Sequence, residues 1–450
     1  VTLKFGTDGV RGVANVELTP ELVLALGRAA ARVLGSDGAA FLIGRDTRVS
    51  GPLLQAALSA GLAAEGADVV DLGVVPTPAV AFASAERGLP AAMISASHNH
   101  YADNGVKFFT AGGRKLADEV EAALEAALEA ALNELRAAGT SVGRLTAEPG
   151  ATAAYEAHVA GAIEGRRLDG LHVVVDCANG AASTVAPRVL GALGAQVDVL
   201  HDQPDGTNIN DGCGSTYPAD LQRAVVERKA DAGLAFDGDA DRVLAVDHTG
   251  ALVDGDQLMA VCALDLRDQG KLHDNTLVVT VMSNLGLRLA MAEAGIAVHE
   301  TQVGDRYVLE ALESGGWSLG GEQSGHVIFR DLATTGDGLL TGVLVLDVVR
   351  RSGRPLAELA AVMTRLPQVL HNVRVSGQSR DGLDGAAPVW DAVAAVERRL
   401  GPTGRVLLRP SGTEPLVRVM VEAGDEATAA GAAEELAAVV AEWGQASASP

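Results

Sequence analysis

Aromatic residues make up only 3% of this 450-residue chain, and cysteine occurs three times. Cys177, Cys213 and Cys262 are far apart and odd in number, so they read as neither a disulfide framework nor a CxxC metal knuckle. A reducing compartment is the expected setting. Positive charge is scarce as well: 35 Lys and Arg stand against 58 Asp and Glu, a formal charge of −23. That balance argues against nucleic acid or an anionic membrane as a main partner. It leaves room for a small anionic substrate, because a local cluster of Arg and Lys overrides the global field. No run approaches the roughly 18 apolar residues of a membrane span. The opening VTLKFGTDGVRG has neither the charged head nor the apolar stretch of a secretory leader, and the expected location is the cytoplasm.

What the chain does have is an apolar fraction of 48% and 53 glycines, a composition that folds. Its length suggests roughly three domains of about 150 residues. A pattern of strand, helix, Gly-initiated strand, and then a third strand ending in a polar loop occurs three times. The first copy runs from FLIGRDTR at Phe41 through GADVVDLG to AAMI at Ala91, which delivers SASHN. The second runs from LHVVVDCANG at Leu171 through GAQVDVL to AGLAF at Ala232, which delivers DGDADR. The third runs from TLVVTVMSN at Thr276 through GIAVHET to WSLG at Trp317, which delivers GEQSGH. Short Val/Ile/Leu runs alternating with helical stretches read as parallel sheets covered by helices. In such sheets ligands sit beyond the carboxyl ends of strands.

Between the first two copies, a helical stretch from Asp118 places Leu124, Leu128, Leu132 and Leu135 on one face. It reads as a packed connecting helix or, alternatively, a coiled-coil surface. The chain ends differently: RVLLRPSGTEPLVRVMVEA, from Arg405, reads as strand, loop, strand between helices, a small α+β domain. The fold class is therefore α/β, with three similar mixed α/β domains and a C-terminal α+β domain. The expected boundaries are 1–150, 151–252, 253–368 and 369–450.

Four loops carry chemistry. DGDADR sets Asp237, Asp239 and Asp241 at alternate positions after an apolar strand. The loop is either a solvated acidic turn or a site where three carboxylates converge on a hard cation such as Mg2+. An EF-hand is excluded, because Arg242 stands at its turn glycine and His248 at its final glutamate. SASHNHYADNGVKFF offers Ser95, Ser97, His98, Asn99 and Lys107; Ser97 is either a hydrogen-bonding turn residue or an activated nucleophile. RPSGTEP offers the backbone and hydroxyls of Ser411, Gly412 and Thr413, with Arg409 and Arg418 as charged donors, so it is a polar hairpin turn or a phosphate cradle. GEQSGH supplies Glu322, Gln323, Ser324 and His326, a set suited to sugar hydroxyls or an amine. Arg11, between glycines in FGTDGVRG, is a further candidate for phosphate contact.

The ordered set FGTDGVRG, ISASHN with DNGVKFF, DGDADR, VGDRYV, GEQSGH and RPSGTEPLVRVMVEA resembles the α-D-phosphohexomutase superfamily over nearly the whole chain. Within it, the chain most resembles the bacterial branch that handles amino-sugar phosphates. The resemblance implies a four-domain, heart-shaped enzyme with a central cleft. It implies that Ser97 is a phosphoserine. Asp237, Asp239 and Asp241 would be Mg2+ ligands, with the Ser97 phosphate as a further ligand. Glu322 and Ser324 would recognise the sugar. Arg409, Ser411, Gly412, Thr413 and Arg418 would hold the non-transferring phosphate, and Lys107 and Arg11 would serve proton transfer or phosphate contact. The implied reaction interconverts glucosamine 6-phosphate and glucosamine 1-phosphate through a 1,6-bisphosphate, with hexosamine or hexose 1,6-bisphosphate as activator. The implied partner is a small sugar phosphate, and a homodimer is left open. The phosphoglucomutase/phosphomannomutase branch, a Mg2+-dependent sugar phosphatase and a non-catalytic sugar-phosphate sensor are the alternatives. Three positions depart from the pattern. His100 stands where proline usually follows SHN, which leaves the rigidity of the serine loop in doubt. Ala240 replaces a glycine, tolerable at negative φ. Tyr217 replaces a histidine.

Overall fold

The computed structural model describes residues 9–35, 40–131, 139–411 and 414–446. They form two compact units. The larger extends to Met282 and resumes over Gly295–Val362; the smaller joins Ser283–Ala294 to the chain from Met363 onward. No helix among the described residues is long and apolar enough to cross a membrane.

The larger unit holds three sheets. The first contains β1 (Val10–Val13), β2 (Ala40–Arg45), β3 (Asp68–Val74), β4 (Ala91–Ile94), β5 (Asp103–Phe109) and β6 (Leu145–Ala147), in the order β1-β5-β4-β2-β3-β6. The second contains β7 (His172–Asp176), β8 (Gln196–Leu200), β9 (Ala232–Phe236), β10 (Val243–Asp247) and β11 (Leu252–Val253), in the order β11-β10-β9-β7-β8. The third contains β12 (Thr276–Thr280), β13 (Ala297–Thr301), β14 (Leu319–Gly321) and β15 (Val327–Phe329), in the order β13-β12-β14-β15.

One arrangement is common to all three. The runs β5-β4-β2-β3, β10-β9-β7-β8 and β15-β14-β12-β13 are the same order in each copy of the sequence repeat. Three strands are parallel, and the fourth returns antiparallel beside the third. The parallel sheets expected from the sequence are therefore present in three strands of each copy, and the fourth strand departs from that expectation. Each polar loop is the turn of an antiparallel hairpin at the end of a buried strand. The hairpin was not legible because β5 and β10 are buried along nearly all of their length and lack the polar alternation of a half-exposed strand.

The first sheet is covered by the helices Pro20–Leu34 and Gly51–Ala64. Gly27 and Gly61 let their backbones meet: a Cβ on Gly61 would lie 2.1 Å from the Leu24 carbonyl oxygen. Asp118–Ala131 is a packed connecting helix: Leu124 is fully buried in this core and Leu128 lies at its margin. Leu132 and Leu135 fall outside the described residues.

In the smaller unit, β16 (Gln368–Arg374), β17 (Arg405–Pro410) and β18 (Leu416–Glu422) form an antiparallel sheet in the order β16-β18-β17. Val389, Val393 and Val396 of one helix and Leu436 and Val440 of another pack against Val417, Val419 and Val421. Within this unit Glu422 ties the helix Leu285–Glu293 down. Its carboxylate accepts the Leu285 N–H at 3.2 Å, an acidic group at a helix N-terminus, and Arg405 Nε at 2.7 Å.

Candidate functional site

Ser97 follows β4 in a left-handed conformation, φ +52°, which is rare for a residue with a Cβ. Several groups hold it there. Its N–H donates to Ser95 Oγ at 2.9 Å, and Ser95 Oγ donates to Asp46 Oδ2 at 2.6 Å. The Ser97 carbonyl accepts from Arg48 Nη2 at 3.0 Å and from Asn210 Nδ2 at 2.8 Å. The same two side chains reach the Asn99 carbonyl, at 2.8 and 3.0 Å. Arg48 also donates to the carbonyls of His100 and Asp103. His100 itself is exposed. Loop rigidity, which the missing proline put in doubt, is supplied by guanidinium and amide donors on successive carbonyls.

The turn between β9 and β10 brings the three aspartates to this serine. Ser97 Oγ donates to Asp237 Oδ2 at 2.6 Å. Asp239 Oδ2 accepts from Thr77 Oγ1 at 2.6 Å and from Lys107 Nζ at 2.8 Å; Lys107 Nζ also lies 3.5 Å from Asp241 Oδ2. One oxygen of each aspartate lies within 4.8 Å of the others, and all three residues are buried. Asp239 Oδ1 and Asp241 Oδ1 are buried without a hydrogen-bond partner. Burial and the neighbouring carboxylates of Asp241 and Asp239 push Asp237 well above the usual range. Burial would raise Asp241 too, but Lys107, His326 and Arg242 outweigh it and hold it well below that range. Three clustered carboxylates, two of them facing the Lys107 ammonium group and two carrying an oxygen without a hydrogen-bond partner, suit a hard divalent cation. The donor set is all oxygen, so the residues fit Mg2+ rather than a thiophilic metal.

Cationic groups border the serine. His98 Nδ1 lies 3.3 Å from Ser97 Oγ and 3.2 Å from Arg242 Nη1. Burial first, then Arg242 and Arg11, lowers its pKa to about 4, so the ring is neutral near pH 7. Arg11 lies on β1, paired in register with Gly105 of β5, the strand that carries Lys107.

The Gly321–Val327 turn packs on the aspartate loop. Val243 N–H donates to the Gly325 carbonyl at 3.1 Å, and a Cβ on Gly325, at φ +90°, would lie 2.0 Å from the Val243 carbonyl oxygen. Glu322 Oε1 accepts the Gly304 N–H at 3.2 Å, and Ser324 Oγ is buried without a hydrogen-bond partner. His326 is buried between Asp305, 3.1 Å from Nε2, and Asp241, 3.7 Å from Nδ1. Burial alone would lower its pKa, but these carboxylates raise it to about 10.

The larger unit thus brings together Ser97, Lys107, Asp237, Asp239 and Asp241, with Arg11, Glu322 and Ser324 on the bordering strand and turn. The remaining candidates lie in the smaller unit. There Arg409 and Arg418 are directly opposed across β17 and β18, and Ser411 is buried. Gly412 and Thr413 fall outside the described residues. Burial and the Arg418 charge lower the Arg409 pKa, the electrostatics of a pair that favours an anion. Residues missed from the sequence are Asp46, Arg48, Thr77, Asn210 and Asp305. Asp46 and Arg48 stand in GRDTR at the end of β2, where the repeat itself marks a ligand-facing loop.

Ala240 departs from the expected negative φ. It is buried at φ +58°, inside the aspartate turn. Left-handed backbone costs a residue with a Cβ about 1–2 kcal/mol. Ala240→Gly is therefore expected to gain about 1 kcal/mol after glycine's own entropy cost, read as a higher urea midpoint at unchanged slope.

Four models of one family match the chain in succession: phosphoglucomutase/phosphomannomutase alpha/beta/alpha domain I over residues 2–134, domain II over 153–250, domain III over 254–366 and the C-terminal domain over 370–439. The chain belongs to the phosphoglucomutase/phosphomannomutase family. Phosphoglucosamine mutase of Frankia alni is 56% identical over 451 residues, 98% of each chain. Phosphoglucosamine mutase of Rhodococcus opacus is 56% identical over 97% of this chain and 99% of its own. Among solved structures, a phosphoglucomutase/phosphomannomutase family protein from Burkholderia thailandensis superposes with a TM-score of 0.81, at 27% identity over 98% of this chain and 97% of its own. The fold is shared with Aspergillus fumigatus N-acetylphosphoglucosamine mutase, solved with GlcNAc-6P and magnesium, at a TM-score of 0.70 and 20% identity over 99% and 96% of the two chains.

Proposed function

We propose that this family member is a phosphoglucosamine mutase that interconverts glucosamine 6-phosphate and glucosamine 1-phosphate. Phospho-Ser97 passes its phosphoryl group to the free hydroxyl of the substrate. The resulting 1,6-bisphosphate turns over in the site, and Ser97 takes back the phosphoryl group from the other end. The observation that carries this reading is the 2.6 Å contact between Ser97 Oγ and the buried aspartate cluster.

Asp237, Asp239 and Asp241 are the residues that would hold Mg2+, which supplies neutralisation of the phosphoryl oxygens as charge spreads over them. Lys107, buried against two of these aspartates, brings its ammonium group to the cluster that Ser97 contacts. Arg242, at His98, adds another positive charge. Left-handed backbone and the clamped carbonyl fix the direction of Ser97 Oγ, so little reorganisation accompanies transfer. Arg11 contacts phosphate. Glu322 and Ser324 bind the sugar, the orphaned Ser324 hydroxyl being a ready partner for a ring substituent. Arg409, Ser411, Gly412, Thr413 and Arg418 hold the phosphate that is not being transferred. A hexosamine or hexose 1,6-bisphosphate restores the phosphoserine when an intermediate escapes. The boundaries 1–150, 151–252, 253–368 and 369–450 assign one of the four candidate loops to each domain.

Phosphorus NMR with Mg2+, glucosamine 6-phosphate and a trace of hexose 1,6-bisphosphate tests the reading. A growing 1-phosphate resonance without inorganic phosphate is expected. Release of inorganic phosphate would make the protein a phosphatase, and turnover on glucose or mannose phosphates alone would move it to the other branch of the family. Removing divalent cations with EDTA is expected to stop turnover, and excess Mg2+ to restore it; turnover that survives chelation would remove the metal from the proposal.

A further inference from the structure

A second group of metal-ligating side chains comes together among the described residues: Asp176, His201 and Cys213, each offering an atom within 4.8 Å of the others. Asp176 ends β7, His201 follows β8, and Cys213 lies on the chain segment that returns between them and β9. Asp176 and Cys213 are buried, and the His201 side chain is 26% exposed.

Three observations give this cluster the form of a coordination site. His201 Nδ1 stands 3.1 Å from Asp176 Oδ1, yet this buried nitrogen has no aligned hydrogen bond. Two ligand atoms bound to one tetrahedral ion at about 2.0–2.2 Å lie about 3.3 Å apart, so the spacing fits a coordination edge as well as a hydrogen bond. The far side of the ring supplies the second observation. Nε2 faces Asp220 Oδ2 at 3.6 Å, a carboxylate on the side of the ring away from Asp176 that is within reach of the Nε2 proton when Nδ1 binds a metal. The third is the orientation of Asp176, whose two oxygens accept the N–H groups of Ala178 and Gly214, each at 2.9 Å, and are fixed in direction by them.

We propose that Asp176, His201 and Cys213 form a binding site for a thiophilic transition-metal ion, Zn2+ above all, distinct from the all-oxygen aspartate cluster at Ser97. One thiol, one imidazole and one carboxylate make a set that zinc accepts and magnesium does not. Three protein ligands leave a fourth position of the tetrahedron for water or another ligand. On binding, the Cys213 S–H bond breaks, its proton leaves to solvent, and a sulfur–metal bond forms; no electron is transferred. Without a metal the thiol is held protonated, pushed up to about 12 by burial and by Asp176, so the ion itself must displace the proton. Occupancy has a structural consequence. His201 and Cys213 bracket the segment that contains Asn210, the residue that clamps the carbonyls of Ser97 and Asn99. A metal pins both ends of that segment.

The test is a Co2+ titration of the full chain, reduced and freed of metal, followed by absorption spectroscopy. The aspartate cluster contains no sulfur, so a thiolate-to-cobalt charge-transfer band reports the second site alone. The expected result is such a band, saturating at one ion per chain, discharged by Zn2+, absent from Cys213→Ser and retained in Asp237→Asn. Asp220→Asn is expected to weaken Co2+ binding by about tenfold or more. Failure of wild-type protein to develop the band overturns the proposal, as does its survival in Cys213→Ser, which would assign it to another cysteine. If circular dichroism shows that Cys213→Ser is unfolded, His201→Gln decides: unchanged Co2+ affinity in that folded variant overturns the site.

Discussion

Ser97→Ala is expected to lower mutase turnover by roughly 10⁴-fold or more, because on the proposed mechanism it removes the atom that carries the phosphoryl group between substrate ends. The effect should fall on kcat, with substrate still bound by groups that the substitution leaves intact. Alanine in place of Ser97 deletes one hydroxyl donor to Asp237 Oδ2. That costs about 1–2 kcal/mol, well within the roughly 5–15 kcal/mol of a folded domain. Activity loss and unfolding are therefore separable by recording the urea transition of the same sample. Intact-mass spectrometry supplies a second readout: wild-type protein treated with hexose 1,6-bisphosphate should gain one phosphoryl group, and the variant none. A variant that turns over like wild type would remove Ser97 from the mechanism.

Arg48→Met carries the largest expected loss of stability. The guanidinium is fully buried, lies 2.9 Å from Asp46 Oδ2, and donates to the carbonyls of Ser97, Asn99, His100 and Asp103. Burial pushes Asp46 upward, and Arg48 is the main group opposing it. Methionine would fill the space but leave a buried carboxylate without its cation and several carbonyls without donors. A loss of about 3–5 kcal/mol is expected, visible in urea or thermal unfolding. Arg48→Lys should recover only part of it, because an ammonium group cannot reach divergent carbonyls from one plane. Full recovery by lysine would reduce the role of Arg48 to charge alone.

These two residues show what could be read in advance. Ser97 and the aspartates were legible because each sits in a short polar run directly after an apolar strand, and their chemistry belongs to the side chains themselves. Arg48 and Asn210 were not. They act on backbone carbonyls 49 and 113 residues away, and a carbonyl leaves no mark on the sequence. Ala240 misled for a related reason. Its side chain suits ordinary backbone, and only the tight aspartate turn, in which its N–H donates to the Asp237 carbonyl, holds it at φ +58°. The threefold repeat was visible in its order of elements. The antiparallel return strand was not, since a strand buried on both faces shows the same apolar run whichever way it points.

That repeated strand order has a consequence for how specificity can change. Each copy of the pattern ends in its own hairpin turn: the first presents Ser97, the second the three aspartates, the third Glu322 and Ser324. On the proposed mechanism the labour is divided, with attack, charge neutralisation and sugar choice each assigned to a different hairpin, the third touching the second through Gly325 and His326. On that reading, exchanging Glu322 and Ser324 would retune which sugar is accepted, provided His326, which touches Asp241, is kept. Gly325 is the fixed point of such an exchange, because its Cα lies against the Val243 carbonyl and leaves no room for a side chain.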